Sequence, residues 1–352
     1  GQLQDMQVER VCLDDDFRLA TSPGAIGGCF CPAHKQEFLQ QTGFGESQWS
    51  ELLDAVKERR LTDTLRAWVE YTCDQLTACF RMQQKAAPQP QLGIMVMYLG
   101  AEKAGIRLTD YAQLPMRVGE LMFDDGAFTP VKGKTDELFS SLFHRRFVAP
   151  ELAYSETTAY PAQRLSLRNK IAKLAVSTIS DVRNTMFMCD FPREHWPEIA
   201  PAIRQHAQLH PAVAGHVPRG PLKHFWGEAS RYVGDDRPYS LFLALGIPFE
   251  VTGDISGDGF TFLSDADAQT VDRLPANGTT LIGRPQPGLS DRVRAVAEAW
   301  PELLAWKREL LPQLGATPYV EGDLPVVCAW YPTARAILLW NLSEERQELT
   351  LR

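Results

Sequence analysis

The 352-residue sequence predicts an α/β protein in which parallel strands alternate with helices. Short apolar runs that fit strands recur between amphipathic segments, and several of these runs end in carboxylates. Leu92–Tyr98 is continuously apolar, as in strands that are buried on both faces. Leu61–Arg81 repeats apolar residues three and four positions apart, which predicts an amphipathic helix. The length favours two or three domains.

The composition excludes several classes of function. The net charge is -8 and no long basic run occurs, so the sequence gives no electrostatic case for binding nucleic acid or an anionic membrane. No apolar run approaches the roughly 20 residues of a membrane helix, and the polar start does not resemble a signal peptide. Seven cysteines, an odd number, fit a reducing compartment better than a disulfide framework. We therefore expect a cytoplasmic protein.

The first part of the chain predicts part of a (β/α)8 barrel. In that fold the catalytic carboxylates gather at the carboxyl ends of the strands. Five strands are predicted within residues 1–209, where a complete barrel has eight, and these five end near Asp14, Tyr98, Asp124, Glu156 and Asp190.

Two smaller regions follow the barrel segment. The Pro/Gly-rich stretch His210–Pro221 marks a boundary, and residues 210–289 predict a flavodoxin-like α/β domain with strands at Phe249–Thr252, Phe260–Leu263 and Leu281-Ile282. Residues 290–352 predict a linker helix and the start of a C-terminal β-sandwich. The helix is expected over Ser290–Leu314, and the strands are expected at Pro325–Trp330, Ala336–Trp340 and Gln347–Leu351.

Asp16 and Glu156 are the candidate catalytic pair. They follow two predicted parallel strands that are far apart in the sequence. Two carboxylates that flank a sugar are the usual apparatus of glycoside hydrolysis, because one protonates the leaving oxygen while the other attacks the anomeric carbon or activates water. The alternative is that Asp14–Asp16 forms a turn or a helix N-cap and that Glu156 is an ordinary surface acid.

Polar and aromatic residues at other strand ends are candidate sugar contacts, because sugar rings stack on aromatic faces and their hydroxyls bind carboxylates. The alternative is that these side chains pack in the core or in loops. The candidates are Asp124, Tyr154 and Phe191.

Cys29, Cys31 and His34 form a candidate metal site. Thiolates and imidazole are zinc ligands, and three of them within six residues can fold around one ion. The fourth ligand is expected from outside the chain or from Cys12, Cys73 or Cys79. The alternative is three reduced side chains without a metal.

These motifs resemble the bacterial β-galactosidases of glycoside hydrolase family forty-two. That family has an Asp-Asn-Glu-Phe strand end where this chain has Asp14-Asp15-Asp16-Phe17, and a C-x-C-x-x-C zinc segment where this chain has Cys29, Cys31 and His34. The resemblance implies that Asp16 is the acid/base, that Glu156 is the nucleophile and that Asp15 orients the sugar. It also implies a structural zinc ion, a homotrimer, and a chain that lacks the first part of the barrel.

Two departures from the family pattern bear on activity. Asp16 is one methylene shorter than the glutamate of the family, which withdraws a proton donor from its near-attack position. Asp15 can accept a hydrogen bond from a sugar hydroxyl but cannot donate one as asparagine does. We expect a retaining β-glycosidase of the β-galactosidase type that acts on a β-linked sugar. The alternative, which these departures favour, is a non-catalytic or weakly active carbohydrate-binding protein on a degenerate barrel.

Overall fold

The computed structural model describes residues 7–14, 16–22, 24–96, 99–118, 124–157, 159, 161–187, 193–255, 258–270, 280–284 and 293–352. The chain forms two compact units. The first comprises Gly1–Gly119, Phe147–Leu152 and Gly227–Arg237, and the second comprises Glu120–Arg146, Ala153–Trp226 and Pro238–Arg352. Within the described residues, no helix combines the length and apolarity that crossing a bilayer requires. The domain limits predicted at residues 209 and 289 stay predictions.

The described residues up to 118 form three parallel strands, with three α-helices between the first two. Their order is β1 (Arg10–Leu13), α1 (Pro32–Thr42), α2 (Glu46–Glu58), α3 (Asp63–Ala86), β2 (Gln91–Val96) and β3 (Met116–Val118). β2 pairs with β1 on one side, with Leu13 opposite Ile94, and with β3 on the other, with Val96 opposite Val118. The alternation of parallel strands with helices confirms the predicted α/β class.

Helix α3 shows how the sequence defines the first unit. The Thr62 hydroxyl accepts a hydrogen bond from the amide of Leu65 at 3.2 Å and so satisfies one of the free donors at the helix start. One face of the helix is apolar and buried, as the spacing predicts. Its buried apolar residues include Leu65, Trp68, Val69, Leu76 and Phe80.

The second unit begins with two more parallel strands among helices. Their order is α4 (Lys132–His144), β4 (Ala153–Thr157), α5 (Leu167–Ser180), β5 (Asn184–Phe187) and α6 (Trp196–Leu209). Helices α4 and α5 are linked by a buried ion pair, in which the Lys173 ammonium donates to Glu137 at 2.5 Å. Whether the strands of the chain close into a barrel stays a prediction.

A second parallel sheet lies later in this unit. In chain order, the remaining elements are β6 (Leu222–Phe225), helix α7 (Glu228–Val233), which belongs to the first unit, and then β7 (Phe249–Thr252), β8 (Phe260–Leu263), α8 (Asp265–Ala268), β9 (Thr280–Gly283), β10 (Val293–Ala295), α9 (Trp300–Leu310), β11 (Val326–Tyr331) and β12 (Ala336–Asn341). The sheet order is β10-β9-β8-β6-β7, which is the strand order of flavodoxin-like sheets. β11 and β12 form a separate antiparallel pair.

Two sequence expectations are wrong in part. The expected helix Ser290–Leu314 holds strand β10, which pairs with β9, before helix α9 begins. The expected strand Gln347–Leu351 does not form, and Leu351 makes a single antiparallel bridge with Val320. A third C-terminal strand is thus missing from the expected sandwich, which stays a prediction.

Candidate active site and metal centre

Glu156 lies in β4, one residue before the strand ends, and only 4% of it is exposed. β4 pairs in parallel with β5, and Glu156 is opposite Met186 in the register. Glutamate side chains are seldom buried to this extent, and ordinary surface acids are well exposed. The alternative of an ordinary surface acid is therefore wrong for Glu156.

Side chains alternate between the two faces of a strand, and this places Glu156 relative to helix α5. Ser155 faces α5, because its hydroxyl lies 3.1 Å from the hydroxyl of Ser177. Glu156 therefore points away from α5, and Tyr154, two residues earlier, shares its face. Tyr154 is half-buried. The structure thus places these two predicted site residues on one face of β4.

Asp16 lies in a turn beyond β1 and is exposed. The amide of Phe17 donates to the carbonyl of Asp14 at 2.9 Å, which closes a four-residue turn with Asp16 at its third position. Asp14, also exposed, binds Arg117 of β3 at 2.6 Å. Asp16 belongs to the first unit and Glu156 to the second, and their pairing stays a prediction.

Asp124 is engaged within its own loop. Its carboxylate accepts a hydrogen bond from the amide of Ala127 at 2.8 Å and another from the guanidinium of Arg164. The amide of Ala127, and then the charge of Arg164, lower the pKa of Asp124. The neighbouring Asp125 accepts a hydrogen bond from the side-chain amide of Asn169 at 2.7 Å and so ties the loop to α5. A substrate role for Asp124 stays a prediction, as do those of Asp15 and Phe191, which lie outside the described residues.

Cys29, Cys31 and His34 come together as predicted. Their ligand atoms all lie within 4.8 Å of one another, and the Cys31 sulfur is 3.1 Å from Nδ1 of His34. Two sulfurs and one imidazole within this distance fit the tetrahedral coordination of Zn²⁺. The described residues therefore contain a possible Cys-Cys-His metal site.

The Cys31 thiol is poised to ionise. The backbone of His34, and then its imidazole and the Cys29 thiol, lower the pKa of Cys31 from 9.0 to about 6 through hydrogen bonds. Because the thiolate is the form that binds metals, this environment prepares Cys31 as a ligand.

An aromatic cluster of Phe30, Phe38, Trp49, Trp68 and Tyr71 supports the metal-site loop. Phe30, which lies between the two cysteines in the sequence, stacks on Trp68 with ring centroids 4.6 Å apart. The Trp68 indole N–H donates to the carbonyl of Gly27 at 3.1 Å. At Gly28, whose φ is +116°, a Cβ would lie 2.6 Å from the Trp68 ring, so only glycine fits there. The packing of Trp68 thus fixes the loop on both sides of Cys29.

None of the three expected candidates for a fourth ligand joins this group within the described part of the chain. Cys73 is buried in α3, where its thiol donates to the carbonyl of Glu102 at 3.4 Å, and burial raises its pKa. Cys79 is exposed and lies 3.7 Å from the Gln83 amide nitrogen. Three protein ligands leave a fourth position for water or for a group from elsewhere.

No protein-family model and no curated protein matches the chain. Among solved structures, the chain is similar to the exo-carrageenase GH42 from Bacteroides ovatus, with 11% identity, a TM-score of 0.43, and coverage of 76% of this chain and 48% of that one. A cold-adapted β-galactosidase from Rahnella sp. R3 is 12% identical, with a TM-score of 0.39 and coverage of 74% of this chain and 44% of that one. The α-L-fucosidase isoenzyme 2 from Paenibacillus thiaminolyticus is 13% identical, with a TM-score of 0.41 and coverage of 76% of this chain and 41% of that one.

The chain spans less than half the length of each of these structures. At such identities and TM-scores, the similarities assign the chain neither a family nor an activity. Membership in glycoside hydrolase family forty-two stays a prediction from the sequence motifs.

Proposed function

We propose that the chain belongs to a retaining β-glycosidase of the β-galactosidase type, with Glu156 as its nucleophile and Asp16 as its acid/base. The observation that carries this proposal is the burial of Glu156 on the face of β4 that points away from α5. A buried carboxyl group near the carboxyl end of a parallel strand supports this role, because the catalytic residues of barrel enzymes come from the carboxyl ends of strands.

The proposed reaction has two steps. Glu156 attacks the anomeric carbon of a β-linked sugar, while the protonated Asp16 donates its proton to the departing oxygen. The Asp16 carboxylate then takes a proton from water, which displaces Glu156 and restores the β configuration. Tyr154, on the same face of β4 as Glu156, is the proposed sugar contact on this strand, and Asp15, Asp124 and Phe191 complete the proposed substrate contacts.

The function is tested by assaying the whole chain against a panel of aryl β-glycosides. The glycoside that the wild-type chain hydrolyses identifies the sugar. Loss of this turnover in Glu156→Ala supports the proposal. Sugar binding without turnover of any substrate would favour the alternative of a carbohydrate-binding protein. The exposed position of Asp16 beyond β1, rather than at its end, is the observation in favour of that alternative.

Asp16→Ala is expected to lower kcat for nitrophenyl β-glycosides by about 10²–10⁴-fold, because the leaving oxygen loses its proton donor. The loss should be much smaller for a dinitrophenyl glycoside, since that leaving group departs without protonation. Added azide should yield a β-glycosyl azide by attacking the glycosyl-enzyme. Asp14→Asn, in the same turn, is the matched control and should keep its activity. An equal loss for both leaving groups would remove Asp16 from the acid/base role.

We also propose that Cys29, Cys31 and His34 hold a structural Zn²⁺ ion. The ion would cross-link the loop that precedes α1 with the first turn of this helix, and it takes no part in the sugar chemistry. This proposal rests on the mutual distances of the three ligand atoms and on the lowered pKa of Cys31. The homotrimer and the cytoplasmic location stay predictions from the sequence.

Cys31→Ser is expected to weaken Zn²⁺ binding by more than about 100-fold, because a coordinating thiolate is removed. Loss of a residue that only hydrogen-bonds to a ligand typically costs about 10–100-fold. Titration with Co²⁺ and then Zn²⁺ measures this, since sulfur-to-cobalt absorption bands report the bound thiolates. The control is Cys79→Ser, an exposed cysteine outside the group. Equal affinity in the two variants would show that Cys31 is not a ligand.

A further inference from the structure

Helix α4 of the second unit begins with a turn that carries a buried ammonium group. The first three residues of the helix are Lys132, Gly133 and Lys134. Side chains on a helix lean toward its N-terminus, so the Lys134 side chain runs back toward the start of α4. Its ammonium lies 5.9 Å from the centroid of the Phe128 ring, in the loop that precedes the helix. The ammonium therefore lies at the N-terminal end of α4.

The Lys134 ammonium has no polar partner in the described part of the chain. Lys134 is 3% exposed, and its ammonium forms neither a hydrogen bond nor an ion pair with a described residue. An ammonium has three hydrogen-bond donors, and burying them without acceptors is unfavourable. Burial lowers the pKa of Lys134, and the charge of Arg168 lowers it further. The surroundings of Lys134 thus lack acceptors and a balancing charge.

Two carboxylates lie near Lys134 without supplying this charge. Asp125 and Glu344 raise the pKa of Lys134, but by less than burial and Arg168 lower it. Asp125 is engaged elsewhere, since it accepts from the amide of Ser166 at 2.9 Å and from the Asn169 side chain at 2.7 Å. Glu344 is exposed to solvent. The charge of Lys134 is therefore not balanced by these two acids.

Two backbone amides of the same turn also lack acceptors. The amide of Gly133 donates to the Thr129 hydroxyl at 2.8 Å. The amides of Lys132 and Lys134 have no acceptor among the described residues. Free amides at a helix N-terminus favour anions, because the N–H groups and the helix dipole both attract negative charge. The turn thus offers two amide donors beside the Lys134 ammonium.

The order of residues in this turn also favours an oxyanion. Gly133-Lys134-Thr135 is the order in which phosphate-binding loops place a lysine at the start of a helix. The full motif is not present, because Gly126 lies too far before Gly133. Gly133 lets the preceding loop lie directly against the helix, since a Cβ there would be 2.4 Å from the carbonyl oxygen of Ala127.

We propose that the first turn of α4 binds a tetrahedral oxyanion, either free phosphate or sulfate or the same group on a small molecule. The Lys134 ammonium supplies the charge, and the amides of Lys132 and Lys134 donate hydrogen bonds to the oxygens. The oxyanion gives the buried ammonium the acceptors and the counter-charge that the chain does not provide. The site is separate from the proposed glycosidase reaction, in which none of these groups takes part.

Isothermal titration calorimetry on the whole chain tests the proposal with inorganic phosphate, inorganic sulfate and glycerol 3-phosphate at low salt. We expect binding that weakens with added NaCl, because salt screens the charges. Tighter binding of glycerol 3-phosphate than of inorganic phosphate identifies a carried group, and equal or weaker binding identifies the free ion. Absence of binding of all three at millimolar concentrations would overturn the proposal.

Lys134→Met locates the site, because methionine keeps most of the apolar stem and removes the ammonium. The variant should bind phosphate at least tenfold more weakly, a loss of about 1.4 kcal/mol. Lys57→Met, at an exposed position of α2, is the control and should bind as the wild type does. Equal affinity in the two variants would contradict the assignment.

Thermal unfolding in buffer without phosphate separates lost binding from lost structure. Lys134→Met should unfold at or above the wild-type melting temperature, because an apolar side chain replaces a buried ammonium without acceptors. Phosphate should then raise the melting temperature of the wild type but not that of Lys134→Met. A lower melting temperature for Lys134→Met without phosphate would show that the ammonium serves the fold, and it would overturn the proposal.

Discussion

Glu156→Ala is expected to lower the turnover of nitrophenyl β-glycosides by about 10³-fold or more, because the attacking carboxylate is lost. Glu156→Gln should lose as much, although it keeps the shape of the side chain, since a neutral amide is a poor nucleophile. Both variants should fold, as far-UV circular dichroism can verify. The matched control is Glu151→Gln, an exposed acid five residues earlier, which should keep wild-type kcat.

Azide separates a nucleophile from other essential roles of Glu156. Azide is small enough to enter the space that Glu156→Ala leaves, and it attacks the anomeric carbon from the same side. A β-glycoside should then give an α-glycosyl azide, with turnover partly restored. Residual activity of Glu156→Ala within tenfold of the wild type, with no azide product, would remove Glu156 from the reaction.

Trp68→Ala is expected to lower the free energy of unfolding of the first unit by about 3–5 kcal/mol. Trp68 is fully buried in the aromatic cluster, and its removal leaves a cavity beneath Phe30 and frees the carbonyl of Gly27. Because both contacts fix the loop that carries Cys29, the variant should also bind Zn²⁺ more weakly.

Urea unfolding followed by far-UV circular dichroism measures the stability change without depending on tryptophan fluorescence. Met82→Ala is the control in the same helix. Met82 is 72% exposed, so its truncation should change stability by no more than about 0.5 kcal/mol. A loss below about 1 kcal/mol for Trp68→Ala would show that the aromatic cluster does not stabilise the unit.

The elements that local patterns describe were predicted well. Strands β7 and β8 have the predicted limits, because each is a short run rich in apolar residues between turn residues. Helix α3 follows from the spacing of its apolar residues. The grouping of Cys29, Cys31 and His34 was also predicted, since the three residues lie within six positions of one another.

The elements that depend on distant partners were missed. Helix α4 is buried on nearly all sides and carries polar residues such as Glu137, which is neutralised by Lys173 of α5. Strand β6 contains Lys223, whose ammonium binds Asp258 at 2.9 Å, and His224, which accepts from the amide of Tyr239 at 3.0 Å. Sequence patterns do not reveal such pairings, so neither segment resembles a buried element.

The same distinction applies to the sites. The sequence does not reveal the cavity lined by Arg146, Arg219 and Glu250, because these residues come from three separate segments of the chain. The local sequence pattern predicts a helix where strand β10 lies. The segment is a strand because pairing with β9 overrides the local preference of its residues. The proposed pairing of Asp16 with Glu156 would likewise be a long-range property, which the sequence suggests from the ends of two predicted strands and from resemblance to a family.

Trapping the glycosyl-enzyme tests the central claim most directly. A β-glycoside with a dinitrophenol leaving group, and with fluorine in place of the hydroxyl next to the anomeric carbon, should form the intermediate quickly and release it slowly. Peptide mass spectrometry should then find the fluorosugar bound to Glu156. A fluorosugar bound to another residue would contradict the account, as would continued turnover of ordinary β-glycosides with no adduct on Glu156.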